Sequence, residues 1–426
     1  ITPALHAGTP ASAGALTLDS AIRMAIEADP WLDGSRQTER ALQEEAVAAG
    51  SLPDPQLSLT AVNVPVNSFD IGQEPMTQLA LGFSQQFPRG RTRALSRQQK
   101  EILAGVEPLR RAERRAALQA GVSMLYLDAY QAQASRRLIE GDRGLFEQLV
   151  DAAAAQYTSA AGRARQQDLI RAQLELIRLD DRLTRLNQQQ EVAQRRLAEL
   201  APGAGRMPVA DRLPDLYSSA AERLLAGSAT PQTLYAQLQL HPAVNAVDRR
   251  LESVATGTDL ARQKYRPGFG LRAQYGYRDA DPLGESRDDL LTLGITFDLP
   301  LFRAGRQDRE VNAAVAREAA ARTERDLLIR QLVSRLDAER AELIRLDQRR
   351  ALYQERLLPQ MSQQAEASLA AYNNADGDFA EAVRARIAEL DAKIDSLDID
   401  VARQQTLARI NYLLVTVQAP TTAASH

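Results

Sequence analysis

Polar and apolar positions alternate in four short stretches of this chain and step by threes and fours over most of the rest. Leu79, Leu81, Phe83 and Phe87 alternate with Gln78, Ala80, Gly82, Ser84 and Gln86, and Leu291, Leu293, Ile295, Phe297 and Leu299 alternate with Thr292, Gly294, Thr296 and Asp298. In a third stretch Phe269, Leu271, Ala273, Tyr275 and Tyr277 oppose Gly270, Arg272, Gln274, Gly276 and Arg278; a weaker fourth runs from Leu57 to Val66, its phase slipping near Ala61-Val62. A period of two is that of a β-strand with one apolar face. Each stretch is about ten residues, the length a tilted strand needs to cross a bilayer. Taken singly, any of them would also suit a half-buried sheet of a soluble domain. The second face argues for a membrane: it is small or polar in every stretch and includes Arg272 and Arg278, which a soluble core would bury unpaired and a water-filled lumen would hydrate. Gln78, Ser84, Arg272, Gln274 and Thr296 are the expected lumen-facing side chains, and Leu81, Phe83, Leu293 and Ile295 the expected lipid-facing ones.

The strand pairs belong to a duplication. Asp29-Pro30 matches His241-Pro242, Pro55 matches Pro267, Gly82 matches Gly294 and Pro88 matches Pro300, all at an offset of 212. Each copy sets two strands between long helical segments. Residues 16–200 form the first repeat (helix, two strands, long helix, return helix) and 230–415 the second, with 201–229 between them as an equatorial segment and tails at 1–15 and 416–426. Few breakers interrupt Arg91 to about Tyr157 or Arg306 to about Tyr372, some 65 residues each, which as helix would reach on the order of 100 Å. Ala172, Leu176, Leu179, Leu183, Leu186, Gln190, Ala193, Leu197 and Leu200 step by fours and threes, as do Val383, Ile387, Leu390, Ile394, Leu397 and Val401. That is a coiled-coil seam in both copies. Shorter helices are expected at about Asp19 to Ala49, capped near Thr17, and at Pro231 to Lys264. Turns after Tyr157 and Tyr372 read as helical-hairpin tips.

Composition narrows the function. The chain has 426 residues, 25% charged, and a net charge near −3, without the basic excess of a general nucleic-acid binder. No apolar run approaches the roughly 20 residues of a membrane helix. Cysteine is absent, excluding disulfides and thiolate metal sites, and the three His form no ligand cluster. The five Met have no regular spacing, so neither a metal site nor a cofactor is expected. No His lies near a plausible Ser-Asp pair, and nothing suggests an enzyme. The chain opens at Ile1, and the small residues that follow suit a mature N-terminus after signal removal.

Several motifs in order carry a family likeness: Leu16-Thr-Leu-Asp-Ser-Ala-Ile22 with Asp29-Pro30, Pro53-Asp-Pro55, Phe87-Pro-Arg-Gly-Arg91, Asp168-Leu-Ile-Arg-Ala172, Leu299-Pro-Leu-Phe-Arg-Ala-Gly-Arg306 and Leu358-Pro-Gln360. With these the chain resembles the TolC family of outer-membrane efflux channels over nearly its whole length. The resemblance implies an α+β membrane protein, internally duplicated. Three protomers of four strands each would make one twelve-stranded transmembrane β-barrel, continued by a periplasmic α-helical coiled-coil tunnel. It implies a homotrimer in outer-membrane lipid, docked on a periplasmic membrane-fusion adaptor and an inner-membrane pump. Gln73-Glu-Pro-Met-Thr-Gln78 and Phe87-Pro-Arg-Gly90 look most like the branch paired with heavy-metal resistance-nodulation-division pumps. Heavy-metal cations are then the leading cargo. Drugs or other small molecules, a type I secretion duct and, in a different class, a non-conducting coiled-coil scaffold are the alternatives.

The family closes its tunnel near the periplasmic tips with acidic residues after a Tyr-x-x-Gly turn. Here Asp376, Asp378 and Glu381 follow Tyr372, and three copies would ring a cation-attracting throat. Tyr157, Arg163, Arg165 and Asp168 mark the other tip. Gly162 and Gly377 come five residues after their tyrosines, where the family has three. Asp378 is equally placed to cap the next helix.

Overall fold

The structure, a computed structural model, describes residues 14–158, 166–225, 231–374 and 378–416. Its elements are α1 (Leu18–Ala28), α2 (Pro30–Gly50), β1 (Gln56–Val62), β2 (Gln78–Phe87), α3 (Thr92–Ala104), α4 (Val106–Thr158), α5 (Gln166–Leu200), α6 (Ser219–Leu225), α7 (Pro231–Leu238), α8 (Pro242–Gln263), β3 (Gly268–Tyr277), β4 (Leu290–Asp298), α9 (Gln307–Leu352), α10 (Leu358–Asn373) and α11 (Phe379–Leu413). The duplication is visible in their bounds. β1 and β3 begin at Gln56 and Gly268, and β2 and β4 at Gln78 and Leu290, the same offset of 212 that the sequence carries.

Prolines decide where the long helical segments break. Pro30 and Pro242 each open a helix, so the expected Asp19 to Ala49 helix divides into α1 and α2, and Pro231 to Lys264 into α7 and α8. Thr17 caps α1 through a reciprocal box with Ser20. Pro108 has no N–H to offer the carbonyl of Ala104, and the helix is interrupted at Gly105. Pro359 likewise cannot reach back to Glu355, and Tyr353–Leu357 winds as a π-helical turn between α9 and α10.

The chain divides into two compact units: the described residues of Ile1–Leu32, Arg111–Pro242 and Ile329–His426 form one, and Asp33–Arg110 with Ala243–Leu328 the other. The second contains the sheet, antiparallel throughout in the order β1-β2-β3-β4. β1 ends at Val62, short of the expected Val66. Val62 pairs with Gln78, so continuing the strand would bring further apolar residues to the polar face. Instead Asn63 turns to φ 57, its side chain donating to the Met76 carbonyl at 3.2 Å while the Thr77 hydroxyl donates to the Asn63 carbonyl at 2.7 Å. Arg278, expected on the inner face of a strand, lies one residue past β3. Its backbone N–H donates to Asp289 and its guanidinium to the carbonyls of Asp288 and Pro75, tying the two strand-connecting loops together.

The first unit is helical. Leu16, Leu18, Ala21 and Ala25 pack on Val122, Tyr126 and Leu127 of α4 and on Ala193 and Leu197 of α5. Residues 208–210 run beside Leu16 as a short parallel bridge, with the Tyr126 hydroxyl donating to the Leu16 carbonyl at 2.9 Å. Along the helices, Ile139 and Phe146 of α4 meet Leu179 of α5 and Leu390 of α11, the predicted seam. Ion pairs stitch α9 to α11: Arg409 to Glu339 at 2.7 Å, Arg403 to Asp347 at 2.6 Å and Arg350 to Asp400 at 2.7 Å. These half-exposed pairs contribute little singly; in series they resist sliding of one helix along the other.

Candidate functional site

Two sets of residues were singled out by sequence, one in each unit. On the sheet, cross-strand partners share a face, so the register assigns sides without further assumption. Ser84 pairs with Arg272, and Arg272 with Gly294; Gly82 pairs with Gln274, and Gln274 with Thr292; Gln86 pairs with Gly270, and Gly270 with Thr296. Gln78, Ser84, Arg272, Gln274 and Thr296 therefore lie on one face. Leu81, Tyr275 and Leu291 form a row on the other, as do Phe83, Ala273 and Leu293, and Phe87, Phe269 and Phe297.

Unlike the apolar face of a soluble sheet, this one is uncovered. Leu293 is 72% exposed and Leu291, Phe297, Leu57 and Leu59 are similarly bare, while Ala80, Gly82, Gly270 and Gly276 on the opposite face are buried. Gly276 is covered by a neighbouring side chain. A Cβ there would lie 1.9 Å from the Gln78 amide oxygen, so only glycine leaves room for that side chain to fold across the polar face. Arg272 has Gly294 beside it, where a Cβ would meet nothing within 4 Å, and it makes no ion pair among the described residues. A charge in open space on a face of amides and hydroxyls is stable only in water.

The second set gathers about the end of α10 and the starts of α5 and α11. Tyr372 is buried against Leu149, Ala172, Ala382 and Val383, and its ring meets Phe379 edge-on with centroids 5.2 Å apart. Burial, with Asp168 nearby, pushes its hydroxyl above the usual phenol value. Asp168, in the first turn of α5, is buried as well. Asp378 is exposed and caps α11, accepting from the Ala380 N–H at 3.3 Å, and Glu381 is exposed one turn on. Tyr157 stands in the last turn of α4. Asp376, Arg163 and Arg165 lie outside the described residues, as does the side chain of Tyr157. Tyr372 of α10 and Asp168 of α5 are thus brought together and buried, and Asp378 and Glu381 are left exposed.

One cluster went unread in the sequence. Glu389 is buried on α11, with Arg386 at 2.6 Å and Lys393 at 3.3 Å, and Lys393 reaches Asp142 of α4 at 3.3 Å. Burial raises the Glu389 carboxyl, but the two cations outweigh it and hold the group below its ordinary value. The signal was present as three charges at helical spacing beside the apolar seam.

Among the described residues no group of His, Asp or Glu is placed to hold a metal ion, and no helix is long and apolar enough to cross a membrane. No family model matches the chain, and no curated protein matches it in sequence. Solved structures do match it in fold. The outer-membrane channel OprN superposes with a TM-score of 0.76 at 15% identity, over 93% of this chain and 89% of that one. The outer membrane protein VceC of Vibrio cholerae gives 0.74 at 17% identity, over 93% and 95%. CusC, described with its transmembrane channel formation, gives 0.74 at 15% identity, over 94% and 92%. The chain has the fold of these proteins along nearly its whole length.

Proposed function

We propose that this chain, which has the fold of the TolC family of outer-membrane channels, is the passive exit duct of a tripartite efflux system. The observation that carries this reading is the bare apolar face of the sheet. The polar face carries Arg272 in open space, and β1 and β4 leave two open edges. Lipid would cover the first face and water the second, and open edges are not tolerated in a bilayer. Four strands are too few for a membrane barrel, for which eight is the usual minimum, so copies must combine. Strand directions alternate, so β4 of one copy meets β1 of the next antiparallel. The family resemblance sets the number of copies at three and the barrel at twelve strands.

By the same resemblance the helices are periplasmic, and the partners are a membrane-fusion adaptor and an inner-membrane resistance-nodulation-division pump. The duct performs no catalysis; solutes diffuse through while the pump supplies energy. Heavy-metal cations are the cargo we assign first, on the strength of Gln73–Gln78 and Phe87–Gly90. The fold likeness to OprN, VceC and CusC is nearly equal and does not favour one cargo, so multidrug efflux stands as the second reading. Mass measurement of the purified protein in detergent, followed by planar-bilayer recording, tests the duct. A trimer that forms discrete pores is expected. A stable folded monomer that stays in solution without detergent would overturn it.

A further inference from the structure

The two rims of the sheet carry opposite charge. The loops 63–77 and 278–289, which join the strands of each pair, hold seven acids and two arginines. The segments 51–55, 88–93, 264–267 and 299–306, where strands meet helices, hold seven basic residues and one acid.

On the basic rim the backbone turn and part of the side chains are held by specific contacts. The turn after β2 is fastened to the end of α8, with Arg89 donating to the Lys264 carbonyl at 3.0 Å and the Arg91 backbone N–H to the Gln263 side chain at 3.1 Å. Gly90 turns at φ +46, and a Cβ there would lie 2.5 Å from Arg266 Cδ, so Arg266 lies directly over the turn. Arg89 is paired with Asp298, and Lys264 with Glu310. Arg91, Arg93, Arg266 and Arg303 are exposed and have no acidic partner among the described residues. Arg303 lies 5.9 Å over the Tyr265 ring.

Immediately beside these arginines the apolar face ends in aromatics. Phe87 stacks on Phe269 at 4.9 Å with Phe297 next in register, and Phe302, adjacent to Arg303, is 88% exposed. Aromatic rings followed by cations is the order of groups met on leaving a bilayer through its headgroups.

We propose that this rim is a binding belt for anionic phospholipid headgroups in the leaflet on the helix-bearing side. The proposal rests on the barrel reading and adds a ligand to it. Each guanidinium without an acidic partner offers N–H donors to phosphate oxygens, and the fastened turn holds several at one height. The acidic opposite rim would repel the same lipids, so the preference belongs to one leaflet.

Native mass spectrometry of the full-length assembly, taken from nanodiscs of equal phosphatidylglycerol and phosphatidylcholine, tests the belt. Wild type is expected to retain phosphatidylglycerol preferentially. The variant with Arg91, Arg93, Arg266 and Arg303 all replaced by Gln should lose most of that preference, up to roughly fivefold per arginine. The matching Lys variant, which keeps the charge but not the fork, should keep more of it than the Gln variant, and Arg266→Gln and Arg303→Gln alone should each lose part, which serves if the fourfold variant assembles poorly. Excess inorganic phosphate should leave the wild-type preference in place. Equal retention of both lipids by wild type, an unchanged preference in the Gln variants, or its abolition by free phosphate would each overturn the belt while leaving the barrel standing. Failure of wild type to enter either lipid would overturn the barrel reading and the belt with it.

Discussion

Asp29 and His241 occupy equivalent places in the duplication, each one residue before a proline that opens a helix, yet they are stabilised in opposite charge states. Asp29 accepts from the Trp31 N–H at 3.2 Å, capping α2, and from Arg114 Nε at 2.8 Å. The Arg114 hydrogen bond, acting against partial burial, holds its carboxyl below the ordinary value of 3.8. His241 is fully buried, with Nε2 at 3.2 Å from the Tyr412 carbonyl, and burial pushes its pKa below the ordinary 6.5. A depressed carboxylate contributes stability above its unfolded value, and the contribution is lost as pH falls through the folded one. Asp29→Ala should therefore destabilise by about 1–2 kcal/mol at neutral pH through the lost cap, with the deficit shrinking below pH 3.8. For His241 the folded chain resists a proton that the unfolded chain accepts, so stability is complete above 6.5 and declines as pH falls below it. Thermal midpoints across that range should fall in wild type and fall less steeply in His241→Asn; equal slopes would mean His241 does not titrate on unfolding. The sequence showed both breaks, since Asp-Pro and His-Pro end helices. It could not show Arg114 or Tyr412, whose arrival depends on tertiary packing.

Helices and strands differ in how completely their patterns specify them. The seam was legible because a three-four period fixes one face of a helix wherever its partner lies, and Leu179, Leu197, Leu390 and Val401 are all buried there. Leu390→Ala should cost about 2–5 kcal/mol, read by denaturant unfolding of the folded protein. Strand faces were legible for the same reason, with period two in place of three-four. What was not legible was where strands stop. β1 ends at Val62 because Asn63 can adopt a left-handed turn that Thr77 and Met76 close, and Arg278 leaves the face because Asp288 and Asp289 wait in the loop. Leu293 is apolar and bare, so a lipid-facing role makes Leu293→Arg cost about 2–4 kcal/mol in a bilayer, where a soluble surface would tolerate it. In this cysteine-free background, Thr296→Cys should react with a membrane-impermeant thiol reagent much faster than Leu293→Cys. Equal rates would place both side chains in water and reject the assigned faces.

At the scale of the assembled duct, selectivity should be set where the passage is narrowest, and the expectation from sequence puts that at the turn after Tyr372. The hairpin separates two roles that the sequence left merged. Tyr372 turns inward because Phe379, Leu149 and Val383 offer it an apolar pocket, whereas Asp378 and Glu381 remain in solvent. Asp378 does cap α11, as its place in the sequence allowed, but a cap uses one oxygen and leaves the negative charge intact. Three copies of these acids and of Asp376 around an axis would draw cations into a confined throat. Asn caps a helix about as well as Asp, so Asp378→Asn removes the charge and keeps the turn. The triple variant Asp376→Asn, Asp378→Asn, Glu381→Gln should therefore fold normally and show a reduced preference for cations in planar bilayers under a salt gradient. If the acids also pair with basic residues across neighbouring helices, conductance should rise as well, because a contact holding the throat closed is removed. The effect should be largest at low ionic strength, since screening shortens to about 8 Å at 0.15 M salt. Unchanged selectivity at low salt would reduce these carboxylates to solvation of a helix turn, and the constriction would then belong to the other hairpin, around Arg163, Arg165 and Asp168.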